Sequence, residues 1–514
     1  MSGTKWFTRP IYWLLILALV LSLALVAPVG SRVNADPSEV WVCPTGDCGH
    51  PGAEYDNIQD GIDAVAQPGT VHVAAGNYYE NNITLSPSVQ VLGAGAAVTI
   101  IDGGGGGSVV KATGGVGAST KLDGFTVTNG TAPLGGGIYI SYSQPTVSNC
   151  DFSNNSADGN GGGMYIRYYR PTVTNCTFEG NSASRGGGMY NYWKSSPRVT
   201  NCIFDGNSAT GTSYGLGGGM NNEDSSPKVT NCIFNGNSAP NGGGMFNSYD
   251  SPTVTNCIFS GNSAGDVGGG MYNYQSSPTV TNCILVNNSA DNKGGGIYAW
   301  LSSPTIDYND LWNNPPNDYE GCSPGPNDIS VDPMFVNPSA EDFHLMLGSP
   351  CIDAGTNDGA PSKDMDGNLR PIDGDWDGTA TADMGAYEYL LASVEFSATP
   401  RTGPTPLEVQ FSDETPGDID TWNWDFGDGG TSNEQNPSHI YTLPGPFTVS
   451  LIVSGPSRGG TETKVDYIWP YTQGVGGEAY PVNRLAILAP WFALAALLLG
   501  GTGWLVLRRR RAES

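Results

Sequence analysis

The sequence predicts an all-β protein whose main body is a right-handed parallel β-helix, with one transmembrane helix near the C-terminus. A repeat of 25 to 30 residues is marked by six Asn-Cys pairs, whose cysteines are Cys150, Cys176, Cys202, Cys232, Cys257 and Cys283. Gly-Gly-Gly blocks that precede Met or Ile keep the same period and start at Gly135, Gly161, Gly186, Gly217, Gly242, Gly268 and Gly294. Such a period is typical of a solenoid in which each repeat forms one layer. Because every repeat contains several Gly, a Pro and β-branched residues, helical repeats are excluded.

Each repeat is predicted to form three short strands that are separated by turns. In the repeat that begins at Pro252, the alternation predicts that Val254, Cys257 and Phe259 point inward, while Thr and Ile point outward. Asn256 fits the bend between strands, since Asn tolerates a left-handed backbone. We therefore interpret the six cysteines of the Asn-Cys pairs as small buried hydrophobic residues.

The other four cysteines are candidates for disulfide bonds. Cys43 and Cys48 are the first candidate pair, because they lie close together in a Pro- and Gly-rich segment. Cys322 and Cys351 are the second candidate pair. Spacing alone leaves both pairings open.

The repeated coils, assigned to residues 121–330, resemble those of a known family. Their paired motifs are Gly-Gly-Gly-Met/Ile and a Phe three residues before an Asn, as in Phe152–Asn155 and Phe259–Asn262. These motifs are similar to the repeats of chlamydial polymorphic outer-membrane proteins. Residues 36–120 are assigned to an N-terminal cap and the first coils, and they look like the start of a pectate-lyase-like solenoid. An amphipathic helix over Tyr55–Ala66 is predicted to cover the open end.

Residues 331–389 are predicted to close the other end of the solenoid. The segment contains Asp332-Pro333, Phe343–Leu345, Ser349–Gly355, Asp364, Asp366, Gly367, Arg370, Asp383, Gly385, Ala386 and Glu388. This pattern resembles the C-terminal cap of bacterial β-helix proteins that are called choice-of-anchor Q. The resemblance implies a protein that ends in an anchor.

Residues 392–468 form a separate predicted module. Three motifs characterise it: Trp422–Gly430, Asn436–Tyr441 and Phe447–Val453. They resemble a polycystic-kidney-disease (PKD) domain, which implies an immunoglobulin-like β-sandwich. In that fold Trp424 and Phe426 would fill the core, and Asp428-Gly429 would form a hairpin turn.

The two ends of the chain predict export and anchoring. Residues 1–35 have the basic start, apolar run and small-residue cleavage site of a signal peptide. A Gly-rich linker over 469–484 precedes an apolar run over 485–507 that is long enough to span a bilayer. The basic tail 508–514 predicts a single-pass cell-membrane protein with its C-terminus in the cytoplasm and its ectodomain outside. The same pattern also fits a surface-sorting signal that is cut and re-anchored.

The charge between the two ends excludes some partners. Residues 36–483 contain 14 Lys and Arg against 48 Asp and Glu, a net charge of −34. Such a surface repels nucleic acid and anionic polysaccharide. Five basic residues fall on neighbouring coils, and we interpret them as solvated surface: Arg167, Arg170, Arg185, Lys194 and Arg198.

Aromatic residues after the Gly-Gly-Gly blocks are the candidate ligand-binding residues. They are Tyr139, Tyr165, Tyr190, Tyr192, Phe246, Tyr272, Tyr274, Tyr298 and Trp300. Because the preceding Met or Ile points inward, alternate residues are predicted to point outward and to form one stripe along the solenoid. The stripe is suited to stacking on sugar rings or on a protein partner. The alternative is that the stacked rings stabilise the sheet.

A calcium site is predicted from a D-x-D-x-D-G pattern. The predicted ligands are Asp373, Asp375, Asp377 and Asp383. The twelfth position is Met384 rather than Glu, so the alternative is a polar surface loop.

These features predict an anchored extracellular β-helix protein that acts in adhesion or glycan binding. No catalytic residues are assigned, because the carboxylate pair of a glycoside hydrolase is not recognisable in the sequence. The partner is predicted to be an extracellular glycan or a surface protein. The alternatives are a surface polysaccharide lyase or glycoside hydrolase, and a structural envelope component.

Overall fold

A computed structural model describes residues 37–45, 49, 54–212, 216–375, 377–416, 419–455 and 458–472. The predicted signal peptide, membrane span and basic tail lie outside these residues, as does most of the predicted linker. Within the described part of the chain, no helix combines the length and apolar character that crossing a bilayer requires. The chain separates into two compact units, and the main boundary lies between Ala392 and Ser393.

The first unit is a parallel β-solenoid with four strands in each regular coil. In one repeat these strands are Thr253–Thr255, Ile258–Ser260, Ser263–Val267 and Met271–Tyr274. Each pairs in register with its counterparts in the neighbouring coils, and the resulting sheets are called sheets 1 to 4 in this order. The sequence predicted three strands per coil. The additional strand is in sheet 3, where Ser-Ala and the residues before the glycines pair between coils.

The strand bounds follow the sequence repeat. Among the described residues, sheet 1 contains Glu54–Tyr55, Glu39–Val42, Gly69–Val73, Val89–Gly93, Lys121–Asp123, Thr146–Ser148, Thr172–Thr174, Arg198–Thr200, Lys228–Thr230, Thr253–Thr255, Thr279–Thr281 and Thr305–Asp307. Sheet 2 contains Gly76–Tyr78, Thr99–Asp102, Thr126–Thr128, Asp151–Ser153, Thr177–Glu179, Ile203–Asp205, Ile233–Asn235, Ile258–Ser260, Ile284–Val286 and Asp310–Trp312. Sheet 3 contains Thr131–Leu134, Ser156–Asn160, Ser182–Arg185, Ser208–Ala209, Ser238–Asn241, Ser263–Val267 and Ser289–Ala290. Sheet 4 contains Ile83–Thr84, Val110–Thr113, Ile138–Ser141, Met164–Tyr169, Met189–Ser195, Met220–Glu223, Met245–Ser248, Met271–Tyr274, Ile297–Trp300 and Tyr319–Glu320.

The core is built from columns of identical side chains. Val254, Cys257, Phe259 and Met271 are fully buried, as are their equivalents in the neighbouring repeats. The phenylalanine rings stack from coil to coil, with centroids 4.6 Å apart for Phe234 and Phe259. The predicted inward positions are therefore confirmed.

A second column, of asparagines, also lies in the interior. Asn181 is typical: its Nδ2 donates to the carbonyl of Phe152 at 2.8 Å and to Oδ1 of Asn207 at 3.0 Å. The same Oδ1 also accepts from the backbone N–H of Asn181. Equivalent bonds recur in the other members of this asparagine ladder, which are Asn155, Asn207, Asn237, Asn262 and Asn288. A buried amide is tolerated because its polar atoms are satisfied in this way.

The Gly-Gly-Gly block is required by the turn between sheets 3 and 4. Gly242 has a φ of 65°, in the left-handed region. A Cβ on Gly243 would meet the carbonyl oxygen of Gly269 at 2.6 Å, and one on Gly244 would meet that of Gly270 at 2.6 Å. Any side chain at these positions would therefore separate the coils.

The predicted N-terminal helix is present as α1, Ile58–Ala64. Its buried residues Ile58 and Ile62 face the first coil, as predicted. Asn57 caps the helix by accepting from the N–H of Asp60. The carboxylate of Glu80 accepts from the N–H groups of Ile58 and Gln59, so it satisfies donors that a helix start leaves unpaired.

The segment 331–389, called the lateral segment, lies along the side of the solenoid. The sequence predicted instead that it caps the end of the solenoid. It contains strands Phe335–Asn337 and Asp342–Leu345, the 3-10 helix Pro338–Ala340 and, just beyond it, the strand Leu390–Leu391. Its apolar residues, with Phe343, Leu345 and Met384 among them, pack on isoleucines of sheet 2. These isoleucines point out of the solenoid as predicted, but Ile233, Ile258 and Ile284 are buried because this segment covers them.

A buried ion pair fixes this segment to the coils. Arg370 and Glu388 have no exposed side-chain surface, and Nε lies 2.5 Å from Oε1. Arg370 also donates to Oδ1 of Asn231, 139 residues earlier in the chain. Asn256 and Asn282 at the next two bends donate to backbone carbonyls of the segment, those of Asp383 and Thr356 among them. The bends of three consecutive coils thus hold one segment.

The cysteines confirm one prediction, agree with part of a second and contradict a third. The six cysteines of the Asn-Cys pairs are buried and free. Cys43 is disulfide-bonded, while its predicted partner Cys48 lies outside the described residues. The pairing of Cys322 with Cys351 is wrong, since both are free. Cys351 instead donates its thiol to Asp310 at 3.3 Å under the lateral segment, whereas Cys322 packs against the solenoid core.

The second unit is a β-sandwich. Its strands are Phe396–Thr399, Thr402–Pro404, Leu407–Asp413, Thr421–Asp425, Thr431–Ser432, Ser438–Tyr441, Phe447–Ser454 and Arg458–Tyr471. Trp424 and Phe426 are buried in the core, as predicted, with Phe396 and Phe411 packed against Trp424. Thr421–Asp425 and Thr431–Ser432 form the predicted hairpin, with Gly429 in the left-handed region of its loop.

Replacing Glu388 by Gln is expected to destabilise the solenoid by about 3–5 kcal/mol, because Arg370 is left as an uncompensated buried charge. Thermal unfolding and limited proteolysis of residues 331–389 measure the effect. The matched control is Glu320→Gln, which removes a solvent-exposed pair with Lys293 and should cost under about 1 kcal/mol. Equal losses in the two variants would contradict a buried pair that holds the segment.

Asp310 is expected to make the free energy of unfolding fall as the pH rises. Burial raises the pKa of Asp310 to about 7, against about 3.9 in an unfolded chain. The folded state thus binds the extra proton, and its stabilising effect is lost between about pH 4 and 7. Asp310→Asn keeps an acceptor for the N–H of Val331 and, like the protonated acid, carries no charge. Its melting temperature should therefore fall less than that of the wild type across this window. The exposed control Asp358→Asn should follow the wild type; a D310N profile with the wild-type slope would refute the assignment.

Candidate ligand groove and carboxylate cluster

The outer surface of sheet 4 carries two columns of side chains. The first column directly follows the inward Met or Ile and contains Tyr139, Tyr165, Tyr190, Asn221, Phe246, Tyr272 and Tyr298. The second column, two residues further on, contains Ser141, Arg167, Tyr192, Glu223, Ser248, Tyr274 and Trp300. In-register pairing therefore produces the predicted alignment along the solenoid.

The first column is mostly buried, although it points away from the core. Tyr165 and Tyr190 are 3% and 2% exposed, and Phe246 and Tyr272 are also buried. Near Phe246 and Tyr272, Leu216 and Val267 from the neighbouring side of the coil pack against the rings. The expectation that all the aromatic residues form an open stripe therefore does not hold for this column. Its rings act chiefly as a packed layer beneath the surface.

An open groove of about 490 Å³ lies over part of the first column, between the second column and the end of sheet 3. The predicted residues Phe246, Tyr272, Tyr274, Tyr298 and Trp300 line it. The other lining residues are Arg185, Leu216, Glu223, Asn241, Ser248, Tyr249, Asp266 and Val267. Trp300 is the most accessible of the predicted aromatics, at 52% exposed. The structure thus brings five predicted residues together and leaves Tyr139, Tyr165, Tyr190 and Tyr192 outside this lining.

A polar network lies at one end of the groove. Tyr190 donates its hydroxyl to Oε2 of Glu223 at 2.5 Å, and Nη1 of Arg185 lies 3.4 Å from the same oxygen. In this part of sheet 4 the aromatic columns are interrupted by Asn221, Glu223 and Ser248. The groove therefore combines aromatic walls with hydrogen-bonding groups.

A third column, at the C-terminal end of the sheet 4 strands or directly after it, was not predicted from the sequence. Tyr142, Tyr168, Trp193 and Tyr249 have φ values of 52°, 61°, 40° and 63°. The equivalent residues Asp224, Gln275 and Leu301 have φ values of 51°, 49° and 54°, so the turn of the coil sets this left-handed backbone. Each of these residues lies four positions after the inward Met or Ile, so the repeat spacing contained a signal for the column.

Two of the five basic residues that were predicted to be solvated surface have specific partners. Arg185 forms the ion pair with Glu223. Arg167 lies against the rings of Tyr168, Tyr192 and Trp193, at 5.0, 5.7 and 5.5 Å from their centroids. The rings and the cation attract each other because the faces of aromatic rings are electron-rich.

Two of the four predicted metal ligands lie in one cluster, and the other two lie outside it. The side chains of Asp373 and Asp375 lie with that of Asp353, with ligand oxygens within 4.8 Å of one another. Asp377 accepts from the N–H of Thr379 in the loop. The buried carboxylate of Asp383 accepts from two backbone N–H groups, those of Asp353 and Tyr389.

The electrostatics of the three-carboxylate cluster suit a cation. Burial raises the pKa of Asp353, and the charge of Asp375 raises it further, against lowering by backbone hydrogen bonds. Oδ1 of Asp373 is buried without a hydrogen-bond partner. A hard cation such as Ca²⁺ takes carboxylate oxygens of this kind as ligands. The residues present therefore fit the predicted ion.

Comparison with curated proteins finds short similarities to two collagenase sequences. The chain is 37% identical over 89 residues to collagenase ColQ1 from Bacillus cereus (strain Q1), which covers 16% of this chain and 9% of that protein. It is 45% identical over 64 residues to collagenase ColA from Bacillus cereus (strain ATCC 14579), which covers 12% and 7%. The chain thus spans less than a tenth of either relative, so their activity is not carried over.

Solved structures show limited similarity to parts of the chain. The PKD1 domain of Vibrio anguillarum Epp is 27% identical, covers 16% of this chain and 100% of that chain, and has a TM-score of 0.14. Pectin methylesterase from carrot is 13% identical, covers 60% and 91%, and has a TM-score of 0.32. Pectin methylesterase PemA from Erwinia chrysanthemi is 10% identical, covers 56% and 81%, and has a TM-score of 0.25.

Two family models match the chain. Residues 88–244 and 212–323 match the right-handed β-helix region, in agreement with the parallel solenoid. Residues 394–469 match the PKD domain, in agreement with the β-sandwich. The chain therefore combines a right-handed parallel β-helix with a PKD domain.

Proposed function

We propose that the β-helix is a non-catalytic glycan-binding module and that its ligand lies in the groove between sheets 3 and 4. The observation that carries the proposal is the combination of aromatic walls with spaced polar groups in an open groove of about 490 Å³. We further propose that the module acts in adhesion at the cell surface, exported by residues 1–35 and anchored through residues 485–507.

The walls of the groove suit sugar rings. The faces of a pyranose ring that carry C–H groups are apolar, and they pack well against the flat rings of Tyr274 and Trp300, whose centroids lie 5.5 Å apart. Tyr249 meets Tyr274 edge-on at 5.5 Å and extends this wall towards the bend. Sugar hydroxyls need hydrogen-bonding partners, and Asn241 and Asp266 on the opposite side supply them.

The repeat suits a polymer rather than a single small molecule. Successive coils present equivalent positions about 4.8 Å apart, which is the spacing of neighbouring strands. A ligand that is itself periodic meets similar side chains at each step along such a surface. The groove borders residues from Glu223 to Trp300, so it crosses several coils.

The charge of the groove selects against polyanions. Glu223 and Asp266 line it, and the positive charge of Arg185 is engaged by Glu223. The net charge of −34 over residues 36–483 adds long-range repulsion. A glycan that is neutral over most of its length therefore fits best.

Replacing both Tyr274 and Trp300 by Ala is expected to weaken glycan binding about thirtyfold, since each lost stacking contact costs about 1 kcal/mol. Full-length protein is first screened on an array of neutral and acidic oligosaccharides, and the affinity for the best neutral one is then compared between variants. The control is Tyr79→Ala, which removes an aromatic side chain that is 78% exposed on an early coil.

The melting temperature should change little in the double variant, because residues outside the core contribute little to stability. Unchanged affinity in the double variant would refute the groove as the binding site. New reducing ends or unsaturated products on incubation with the bound glycan would instead establish a polysaccharide-degrading enzyme.

We propose in addition that Asp353, Asp373 and Asp375 hold a calcium ion that stabilises the lateral segment 331–389. Calcium at about 100 times its dissociation constant should stabilise the folded state by about 2.7 kcal/mol. Asp373→Asn should abolish the rise in melting temperature on adding calcium, whereas the exposed variant Asp358→Asn should retain it. A melting temperature that chelator leaves unchanged in the wild type would exclude this role.

A further inference from the structure

Positive charge in this acidic protein is concentrated in one stretch of the sequence that contributes to the candidate groove. Five of the 14 Lys and Arg in residues 36–483 fall within 32 positions: Arg167, Arg170, Arg185, Lys194 and Arg198. Arg167 and Arg185 lie at the surface of sheet 4 or at its border with sheet 3.

Arg167 is surrounded by aromatic rings, whereas the usual partner of an arginine is an acidic side chain. Its guanidinium lies within 5.7 Å of the ring centroids of Tyr168, Tyr192 and Trp193. Its Nε is buried without a hydrogen-bond partner. Within the described part of the chain, no carboxylate forms an ion pair with it. An arginine with a purely structural role would gain most from one of the many acidic side chains.

The backbone around Arg167 is unusually constrained. The consecutive residues Tyr168 and Tyr169 have φ values of 61° and 63°, and the next coil has 40° at Trp193 and 59° at Lys194. The strand pairing shifts in register directly after Arg167. Four large side chains in the left-handed region store strain, and the bend presents Trp193 and Tyr169 to solvent.

We propose that Arg167, with the rings of Tyr168, Tyr192 and Trp193, binds the carboxylate of an acidic sugar residue within the same, otherwise neutral, glycan. A guanidinium is planar and donates two parallel N–H bonds to a carboxylate. The surrounding rings restrict its rotation and so reduce the entropy that is lost on binding. The exposed face of Trp193 can stack on the sugar ring that carries the acid.

The position of Arg167 connects this site to the groove. Arg167 belongs to the same column as Glu223, Tyr274 and Trp300, and five coil steps separate it from Trp300. At about 4.8 Å per step, the distance is about 24 Å. One extended oligosaccharide of that length can contact both ends. A neutral glycan with widely spaced acidic sugars can place one carboxylate at Arg167. Its other sugars near Glu223 are then neutral and are not repelled.

Saturation-transfer NMR of the full-length protein with glucuronate tests the site separately from the groove. We expect glucuronate to bind with millimolar affinity, and its methyl ester and glucose to bind at least tenfold more weakly. Arg167→Ala should abolish glucuronate binding, and Arg167→Lys should lose most of it because Lys lacks the planar fork. The control Arg198→Ala removes a neighbouring exposed cation and should bind as the wild type does.

Three outcomes would overturn the proposal: equal binding of glucuronate and its methyl ester, binding that survives Arg167→Ala, or equal binding of glucose 6-sulfate, which would make this a general anion site. The inference rests on the proposed function, and the two fail differently. If array binding depends on Tyr274 and Trp300 but not on Arg167 or on esterification, the groove stands and the acidic site falls. If no glycan depends on Tyr274 and Trp300, the proposed function itself fails.

Discussion

The buried asparagine ladder determines the register on which the whole solenoid depends. Each Oδ1 accepts from a side-chain amide and a backbone N–H of the preceding coil, as Asn207 does from Asn181. Each Nδ2 also donates to a backbone carbonyl of the preceding coil, which for Asn181 is that of Phe152. A slip by one residue would therefore leave several buried polar groups unsatisfied in every coil of the ladder. Since such groups cost about 1–3 kcal/mol each, identical residues are held in line. The same register aligns the Phe, Val, Cys and Met columns of the core.

The groove exists because this regularity is interrupted. A continuous aromatic column on sheet 4 would fill the surface with stacked rings, as Tyr139, Tyr165 and Tyr190 do at centroid distances of 5.4 and 5.7 Å. Asn221 and Ser248 are smaller, and they coincide with the place where the surface opens. The scaffold thus aligns the columns, whereas its exceptions provide the candidate binding surface.

The lateral segment gives the two faces of the solenoid different roles. It covers the isoleucines of sheet 2 and ties itself to Asn231, Asn256 and Asn282 through buried hydrogen bonds. The same bends in earlier coils, at Asn149 and Asn175, instead bond to each other at the surface. Sheet 4 keeps exposed aromatic residues such as Trp300. One face is therefore a docking surface within the chain, and the other is available to a partner.

The sequence by itself determined the solenoid, its inward columns, the helix at Ile58–Ala64 and the core of the PKD domain, because these depend on local alternation and on a period that the chain repeats. The sequence also contained patterns that were not interpreted. One is the Ile that recurs at position 203 and its equivalents, where the lateral segment docks. Only the tertiary structure decided that this segment lies on the side, that Cys322 and Cys351 stay apart, and that Asp353 joins Asp373 and Asp375. Burial of Tyr165 and Tyr190 was likewise a tertiary outcome. The physical reason is that these features come from contacts between residues distant in the chain, such as Arg370 and Asn231, which no periodic pattern encodes.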